Sequence, residues 1–255
     1  MKKLFPIVNG VALVSTIFVN YLSNTGVFNG NTMKTVSDRY FNFFTPAGYA
    51  FSIWGIIYAG LLAFAFYTGK SLFNKQSPHP ALEKIGWWFL ISCIANSCWV
   101  AAWLYDYTAL SVVLMAIILI SLLKIIANLH INLTKQHTKD YSFINLPFTL
   151  YVGWISVAII ANVAALLTKI NWGVWGITPI TWTIVMVVIA GVINVFMVTQ
   201  RNMRAYGLVG IWALLAIAAN QNDEGQSIVY ACYAVAVAIS MSIVLNFIKP
   251  KWRTV

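Results

Sequence analysis

The sequence predicts an all-α membrane protein, a polytopic bundle of about eight transmembrane helices. Of its 255 residues, 60% are apolar and only 9% are charged, and the mean hydropathy is +0.79. These values lie far from those of soluble domains. A second observation is that the apolar residues form runs of about 20, the length with which a helix crosses a hydrocarbon core of about 30 Å. A third is that the basic residues lie between these runs, on alternating sides.

The apolar runs follow one another with short gaps. They cover residues 4–22, 46–68, 86–104, 108–130, 146–168, 176–200, 205–221 and 227–248. The first follows Met1-Lys2-Lys3 as the apolar part of a signal peptide does, but no small-x-small cleavage site comes after it, so we expect a helix. Pro46, Pro147 and Pro179 lie at or near helix starts, where the missing N–H costs little. The seventh run is the shortest.

The positions of Lys and Arg orient these helices, because loops rich in them stay in the cytoplasm. One side carries Lys2, Lys3, Lys70, Lys75, Lys84, Lys135, Lys139, Arg201, Arg204, Lys249, Lys251 and Arg253, and the other carries Lys34, Arg39 and Lys169. We therefore expect both termini in the cytoplasm and place the protein in a bacterial cytoplasmic membrane. The net charge of +10 is explained by cytoplasmic loops, and no nucleic-acid partner is expected.

The longest gap between the runs is the loop of residues 23–45, so no soluble domain is expected. This loop is rich in Asn, Gly and Thr and then becomes aromatic, with Tyr40, Phe41, Phe43 and Phe44 near its end. It fits two alternatives. It is either a solvated connector with an interfacial aromatic end, or a lid whose aromatic side chains fold over a pocket.

The middle parts of the apolar runs lack the ionisable side chains on which catalysis and proton transfer usually depend. No Asp, Glu, His or Arg lies in the middle of a run, whereas proton relays need such groups at membrane depth. His79, His130 and His137 lie in or beside predicted cytoplasmic loops. Because no phosphate-binding glycine loop, His-Glu-x-x-His or nucleophile beside a base is found, we predict no catalytic residue, metal or cofactor.

The runs do contain asparagine and tryptophan at helical spacing. Asn96 and Trp99 lie three residues apart in the third run, and Trp54 and Tyr58 lie one turn apart in the second. A rise of 1.5 Å per residue places Trp54 and Asn96 each about 12 Å below the noncytoplasmic surface. A single asparagine in such a run more commonly forms a hydrogen bond between helices than part of a ligand site.

The fifth run repeats the pattern. Trp154, Ala158 and Asn162 are spaced i, i+4 and i+8, which places them on one helical face. Counted from the same surface, Asn162 lies about 9 Å deep and Ala158 about 15 Å deep. Both sets of residues therefore share one half of the bilayer.

Together these motifs resemble the translocator proteins, also called tryptophan-rich sensory proteins or TspO. The segment "PAGYAFSIWGIIY" is similar to that family's second-helix signature, "ANSCW" to its Leu-Asn-x-x-Trp, and "YVGWISVAIIAN" to its Tyr-x-x-Trp-x-x-x-Ala-x-x-x-Asn. The resemblance covers roughly residues 4–168. Ala47 stands in place of a signature proline, and Tyr49 stands where a tryptophan is common.

The resemblance implies a five-helix core over residues 1–170, with a pocket closed by the first loop. Residues 171–255 then add three helices and a short basic tail. In this interpretation a flat apolar ligand, a tetrapyrrole or a sterol-like molecule, is surrounded by Trp54, Tyr58, Asn96, Trp99, Trp154, Ala158 and Asn162. The family's self-association implies a homodimer, unless the added helices, with Gly191, Gly207 and Gly210, dock against the core and replace that contact.

Three functions fit these expectations. The first is a receptor or carrier for the hydrophobic ligand, since aromatic faces stack on planar molecules and an amide or indole N–H orients their polar atoms. The second is a membrane enzyme that degrades a bound porphyrin with the help of tryptophan. The third is a structural protein without a ligand, in which the amides pair with each other.

Overall fold

The computed structural model describes residues 4–74, 77–134, 137–173 and 176–251. Over these ranges the chain forms helices, turns and loops, and no strand occurs. The all-α fold class is therefore confirmed. Lys2, Lys3, Lys75, Lys135 and Arg253, which contribute to the predicted orientation, lie outside the described residues.

Each predicted run corresponds to one apolar helix. These helices are α1 (Leu4–Leu22), α2 (Ile53–Gly69), α3 (Trp88–Leu104), α4 (Thr108–Asn128), α5 (Leu146–Lys169), α6 (Pro179–Arg201), α7 (Arg204–Ala218) and α8 (Gln226–Ile248). With their flanking turns, six are long and apolar enough to cross a membrane, whereas α3 and α7 have 17 and 15 residues. The structure is thus a polytopic helical bundle, and α7 is the shortest of these eight apolar helices, as predicted.

Several helix ends differ from the predicted boundaries, and two of these differences have a structural reason. The second run was expected to begin at residue 46, but α2 begins at Ile53 because Gly48–Ser52 form a tighter 3-10 turn first. The seventh run was expected to reach residue 221, but α7 ends at Ala218. After that residue the side chains of Asn220 and Gln221 bind backbone carbonyls of the first loop instead of facing lipid. The proline prediction is confirmed at α6, where Pro179 follows the capping residue Thr178.

Contacts group the chain into two compact units. The first unit comprises residues 1–36, 54–131 and 136–152. Within it, α1 lies on α3, and the Thr16 hydroxyl donates to the Cys93 carbonyl at 3.2 Å. Deeper in the unit Phe64, Phe89 and Phe148 form a triangle of edge-to-face rings, with centroids 5.0–5.7 Å apart. These buried rings join α2, α3 and the start of α5.

The second unit comprises residues 37–53, 132–135 and 153–255. The glycines singled out in the sequence pack its three C-terminal helices together. Gly191 faces Val235 of α8, Gly210 faces Asn194 of α6, and a methyl group added at Gly207 would lie 2.7 Å from Val198. Small residues let the helix backbones approach closely at these points.

The same unit holds segments of the predicted core against α7. The Ala47 amide donates to the Ala216 carbonyl at 2.9 Å, and the Trp212 indole donates to the Ala50 carbonyl at 3.3 Å. Gly153 of α5 lies against Tyr206. Within this unit, α7 therefore packs against residues 47–50 and against α5. Docking of the added helices on a five-helix core stays a prediction. The division at residue 170 rests on the resemblance and stays a prediction.

One asparagine joins three segments at the junction of α6 and α7. Asn202 ends α6 in the left-handed conformation, with φ 53°, which asparagine tolerates better than most residues. Its side-chain nitrogen donates to the carbonyls of Asn132 (2.9 Å) and Lys251 (2.7 Å). Its oxygen accepts from the Asn246 side chain and from the Lys251 amide, each at 2.9 Å. All the hydrogen-bonding capacity of this buried amide is therefore used.

Candidate ligand-binding sites

The structure brings four of the predicted site residues together. Trp54, Tyr58, Asn96 and Trp99 all lie in the first unit, on α2 and α3. Trp154, Ala158 and Asn162 lie on the part of α5 that belongs to the second unit. Each group is described within its own unit.

Aromatic rings surround Trp54. Tyr58 stacks on it with a centroid distance of 5.3 Å and an interplanar angle of 18°. Tyr151 of α5 meets it edge-on at 5.8 Å, and Trp99 lies tilted against it at 6.3 Å. All four side chains are buried, Trp54 retaining 9% of its exposure. We call Trp54, Tyr58, Trp99 and Tyr151 the ring cluster.

A chain of hydrogen bonds passes through the ring cluster. Asn96 is fully buried, and its side-chain oxygen accepts from Asn20 of α1 at 2.8 Å. Its nitrogen donates to the Tyr151 hydroxyl at 3.0 Å. The Tyr58 hydroxyl is buried beside this amide, outside hydrogen-bonding geometry. Asn96 thus joins α1, α3 and α5, which is the helix-to-helix role expected of a single asparagine.

Sequence reasoning missed Asn20 as a partner. It lies two residues from the end of α1, where a polar side chain is ordinarily solvated. A signal was nonetheless present, because Asn9, Thr16 and Asn20 recur at i, i+7 and i+11 and all three are buried. That spacing marks one polar stripe along an otherwise apolar helix.

The predicted residues of the second unit share a helical face of α5. Trp154 and Asn162 are each 3% exposed, and Ala158 between them is half-buried. Trp154 meets Phe51 edge-to-face, with ring centroids 6.3 Å apart. Phe51 lies in the 3-10 turn before α2, so this contact joins the end of the first loop to α5 within the unit.

The second unit also contains a cavity of about 490 Å³ beside the end of α5 and the start of α6. It is walled by aromatic and aliphatic side chains and has polar groups at one end. Its lining comprises Phe41, Asn42, Phe43, Phe44, Ile160, Val163, Ala164, Leu167, Thr168, Asn171, Trp172, Pro179, Trp182, Thr183, Met186, Asn222 and Glu224. We call it the second-unit cavity. Ligand sites in proteins commonly have volumes of about 300 to 1,000 Å³.

The end of the first loop forms part of the cavity wall. Phe41, Phe43 and Phe44 all line it, which supports the lid alternative for these three residues. Tyr40 instead lies under the Lys169 ammonium, 5.5 Å from its ring centre. We call residues 41–45 the lid segment.

Short polar contacts hold the lid segment in place. The Asn42 side chain accepts from the Phe44 amide at 2.9 Å, which closes a tight turn. From the end of α7, Gln221 donates to the Phe43 carbonyl at 3.0 Å and Asn220 to the Thr45 carbonyl at 3.1 Å. The lid segment is therefore tied to α7 at two points.

Two tryptophans of the cavity carry no clear sequence signal. Trp172 fits the interfacial aromatic belt, and Trp182 belongs to no recognised motif. In the structure their rings meet edge-to-face at 5.3 Å and line the cavity together. Because they approach from either side of the loop after α5, no helical periodicity connects them.

Ionisable groups meet outside the apolar part of the first unit. Asp140 lies 3.3 Å from the His79 imidazole and accepts from the Tyr67 hydroxyl at 2.8 Å. In the part of the chain that the structure describes, no three His, Cys, Asp or Glu side chains are grouped so that they could hold a metal ion. The contacts of Asp140 hold the segment before α5 against Tyr67, near the end of α2.

Comparison with known proteins gives the family. The family profile described as TSPO-like protein matches residues 6–245. The chain belongs to the TSPO-like family. The match includes α6, α7 and most of α8, so the TSPO-like profile covers the three helices that the sequence resemblance left out. No curated protein and no solved structure matches the chain. Family membership and the apolar helices identify this TSPO-like protein as an integral membrane protein.

Proposed function

We propose that this TSPO-like protein is a membrane receptor or carrier for a flat, hydrophobic ligand of the tetrapyrrole or sterol-like class. The ligand binds at the ring cluster of the first unit, where Trp54, Tyr58, Trp99 and Asn96 contact it. Both termini lie in the cytoplasm, in a bacterial cytoplasmic membrane. Two further predictions belong to this proposal. One is that the ligand also contacts Trp154, Ala158 and Asn162, and the other is that the protein self-associates.

The observation that carries the proposal is a buried polar chain that ends on a cluster of aromatic rings. Asn96 lies within hydrogen-bonding distance of Asn20 and Tyr151, and the Tyr151 ring packs on Trp54, which also contacts Tyr58 and Trp99. Flat apolar ligands need the same two elements, broad faces for stacking and a few fixed donors or acceptors.

Exchange of partners makes binding energetically feasible in a packed cluster. An aromatic pair contributes about 0.5 to 1.5 kcal/mol beyond its buried area. A planar ligand that stacks on Trp54 in place of Tyr58 provides a stacking energy of similar size. The apolar area that the ligand itself buries then supplies the net affinity.

The test is a titration of purified protein in nonionic detergent with protoporphyrin, followed through the absorbance of the porphyrin. We expect saturable binding, weakened about three- to tenfold by Trp54→Phe, since the smaller ring loses stacking area and the indole N–H. Trp87→Phe is the matched control, because Trp87 is 47% exposed and packs on Phe5, outside the ring cluster. Absence of saturation for every porphyrin and sterol tried would contradict the proposal.

A structural role is the second candidate. The Asn20–Asn96 bond favours it, since paired amides were the feature expected of a ring cluster that only packs helices. In that case Trp54→Phe lowers the thermal midpoint without changing the amount of porphyrin bound. Measuring both quantities on the same variant separates the two candidates.

A further inference from the structure

We propose that the second-unit cavity is a separate binding site for a lipophilic organic cation, a molecule with an apolar or aromatic body and an ammonium-like end. The residues of this cavity lie outside the motifs that resemble the family, although Phe41, Phe43 and Phe44 belong to the aromatic end of the first loop. The proposal stands on the shape, the lining and the charge of the cavity and is independent of the ring cluster.

The depth of the cavity suits a molecule rather than a surface contact. Its α5 wall extends from Thr168 to Ile160, and its α6 wall from Pro179 to Met186. A rise of 1.5 Å per residue makes these walls about 10 to 12 Å deep. The cavity therefore extends about two helical turns from the end of α5 and the start of α6 into the apolar region.

The lining changes from apolar to polar along this depth. Ile160, Val163 and Met186 lie at the inner end, and the Trp172–Trp182 pair stands nearer the loops. Exposed Asn171, Asn222 and Glu224 stand at the outer end. Such a gradient matches an amphipathic ligand whose apolar body is buried and whose polar end meets water.

The charge of the outer end selects a cation. Glu224 is the one ionisable side chain among the lining residues that the structure describes. Lys169, the nearest basic residue along α5, places its ammonium over Tyr40 instead. Here a carboxylate and several aromatic rings line the same cavity. Both attract the positive charge of an organic ammonium group, the rings through their quadrupoles. The same groups disfavour a carboxylate-bearing ligand.

A pair of ions with the same shape and opposite charge tests the inference. Purified full-length protein in nonionic detergent is dialysed to equilibrium against tetraphenylphosphonium or tetraphenylborate, with empty micelles as the blank. We expect saturable binding of the phosphonium and none of the borate above the blank. Equal binding of both ions would overturn the proposal, because only hydrophobicity would then be at work.

Matched variants locate the bound cation. Glu224→Gln should weaken phosphonium binding about fivefold at low salt, and the difference should shrink as salt is added. Asp223→Asn removes the same charge from the same turn but does not line the cavity, so it should leave binding unchanged. If both substitutions weaken binding equally, the effect is one of net charge and the proposed site is wrong.

Filling the cavity provides the last check. Ala164→Phe from α5 and Met186→Trp from α6 each place a larger side chain in the space. Either variant that keeps the wild-type helix content and elution volume should lose saturable phosphonium binding. Full binding by such a variant would show that the cation binds elsewhere.

Choline added as a competitor distinguishes sources, since competition would indicate that a lipid headgroup supplies the natural cation.

Discussion

Asn96 illustrates how much a single polar side chain contributes when the solvent is hydrocarbon. It is fully buried and spends both its acceptor and its donor on neighbours from other helices. In a membrane such bonds have measured values of about 0.6 kcal/mol on average and up to about 1.7 kcal/mol. The amide therefore fixes the relative positions of three helices more than it stabilises them.

A double-mutant cycle measures this contribution. Asn20→Ala and Asn96→Ala should each destabilise the protein, because each leaves a buried partner unsatisfied. The double variant should lose about 0.6 to 1.7 kcal/mol less than the sum of the two, the coupling expected of a bonded pair. Unfolding in mixed micelles of increasing denaturing detergent provides the free energies.

Cys98→Ala serves as the control, since Cys98 is exposed on the same helix. Strict additivity of the two asparagine substitutions would show that the Asn20–Asn96 bond contributes nothing.

Among the elements, the loop before α2 is held in place by residues that follow α7. Its lid segment receives hydrogen bonds from Asn220 and Gln221, both placed just past the end of α7. Both side chains follow the last residue of α7, so the segment that continues from this helix contacts the loop directly.

Removing one contact should loosen the lid segment. Gln221→Ala deletes the donor to the Phe43 carbonyl, and a net value of about 0.5 to 1.5 kcal/mol for the bond predicts about a two- to tenfold increase in local opening. Hydrogen exchange of the Phe44 and Thr45 amides reports it, because both are bonded within the turn. Gln226→Ala, an exposed change at the start of α8, should leave these amides protected as in the wild type. Unchanged exchange in Gln221→Ala would mean that the turn holds itself closed.

The sequence predicts which segments form helices better than it predicts how far neighbouring helices are displaced along their axes. Every predicted run is a helix, because an apolar segment in lipid must satisfy its own backbone. Counting residues from helix ends also predicted that Trp54 and Asn96 lie at one depth, and both contact Tyr151. Yet Asn20 is two residues from the end of α1 and bonds Asn96, eight residues from the end of α3. That pairing implies a displacement of about 9 Å between the two helix ends, which no count along one chain segment reveals.

The second-unit cavity lay beyond sequence prediction for a related reason. Its aromatic residues come from a loop, a helix end and a helix start, so they share no period. Only the cluster of Phe41, Phe43 and Phe44 gave a signal, and it favoured two interpretations equally. Sites built from loops at helix ends depend on tertiary contacts such as those of Gln221.

For the whole molecule, the distribution of basic residues makes a prediction about orientation. In a chain whose native cysteines are replaced by alanine, Asp223→Cys should react with a membrane-impermeant maleimide added to intact cells. Lys249→Cys should react only after the membrane is permeabilised, because it lies on the side rich in Lys and Arg. The opposite labelling pattern would reverse the proposed orientation of every helix.

The junction at Asn202 has a consequence for biosynthesis. Its partners are Asn132, which is made long before it, and Asn246 and Lys251, which are made after it. At about 5 to 20 residues per second, the ribosome needs roughly 2 to 10 s to travel from Asn202 to Lys251. During that time Lys251 is not yet available to the Asn202 side chain. The full set of hydrogen bonds can form only once α8 and Lys251 have been made, so the loop after α4 is fixed by residues that are translated much later than the loop itself.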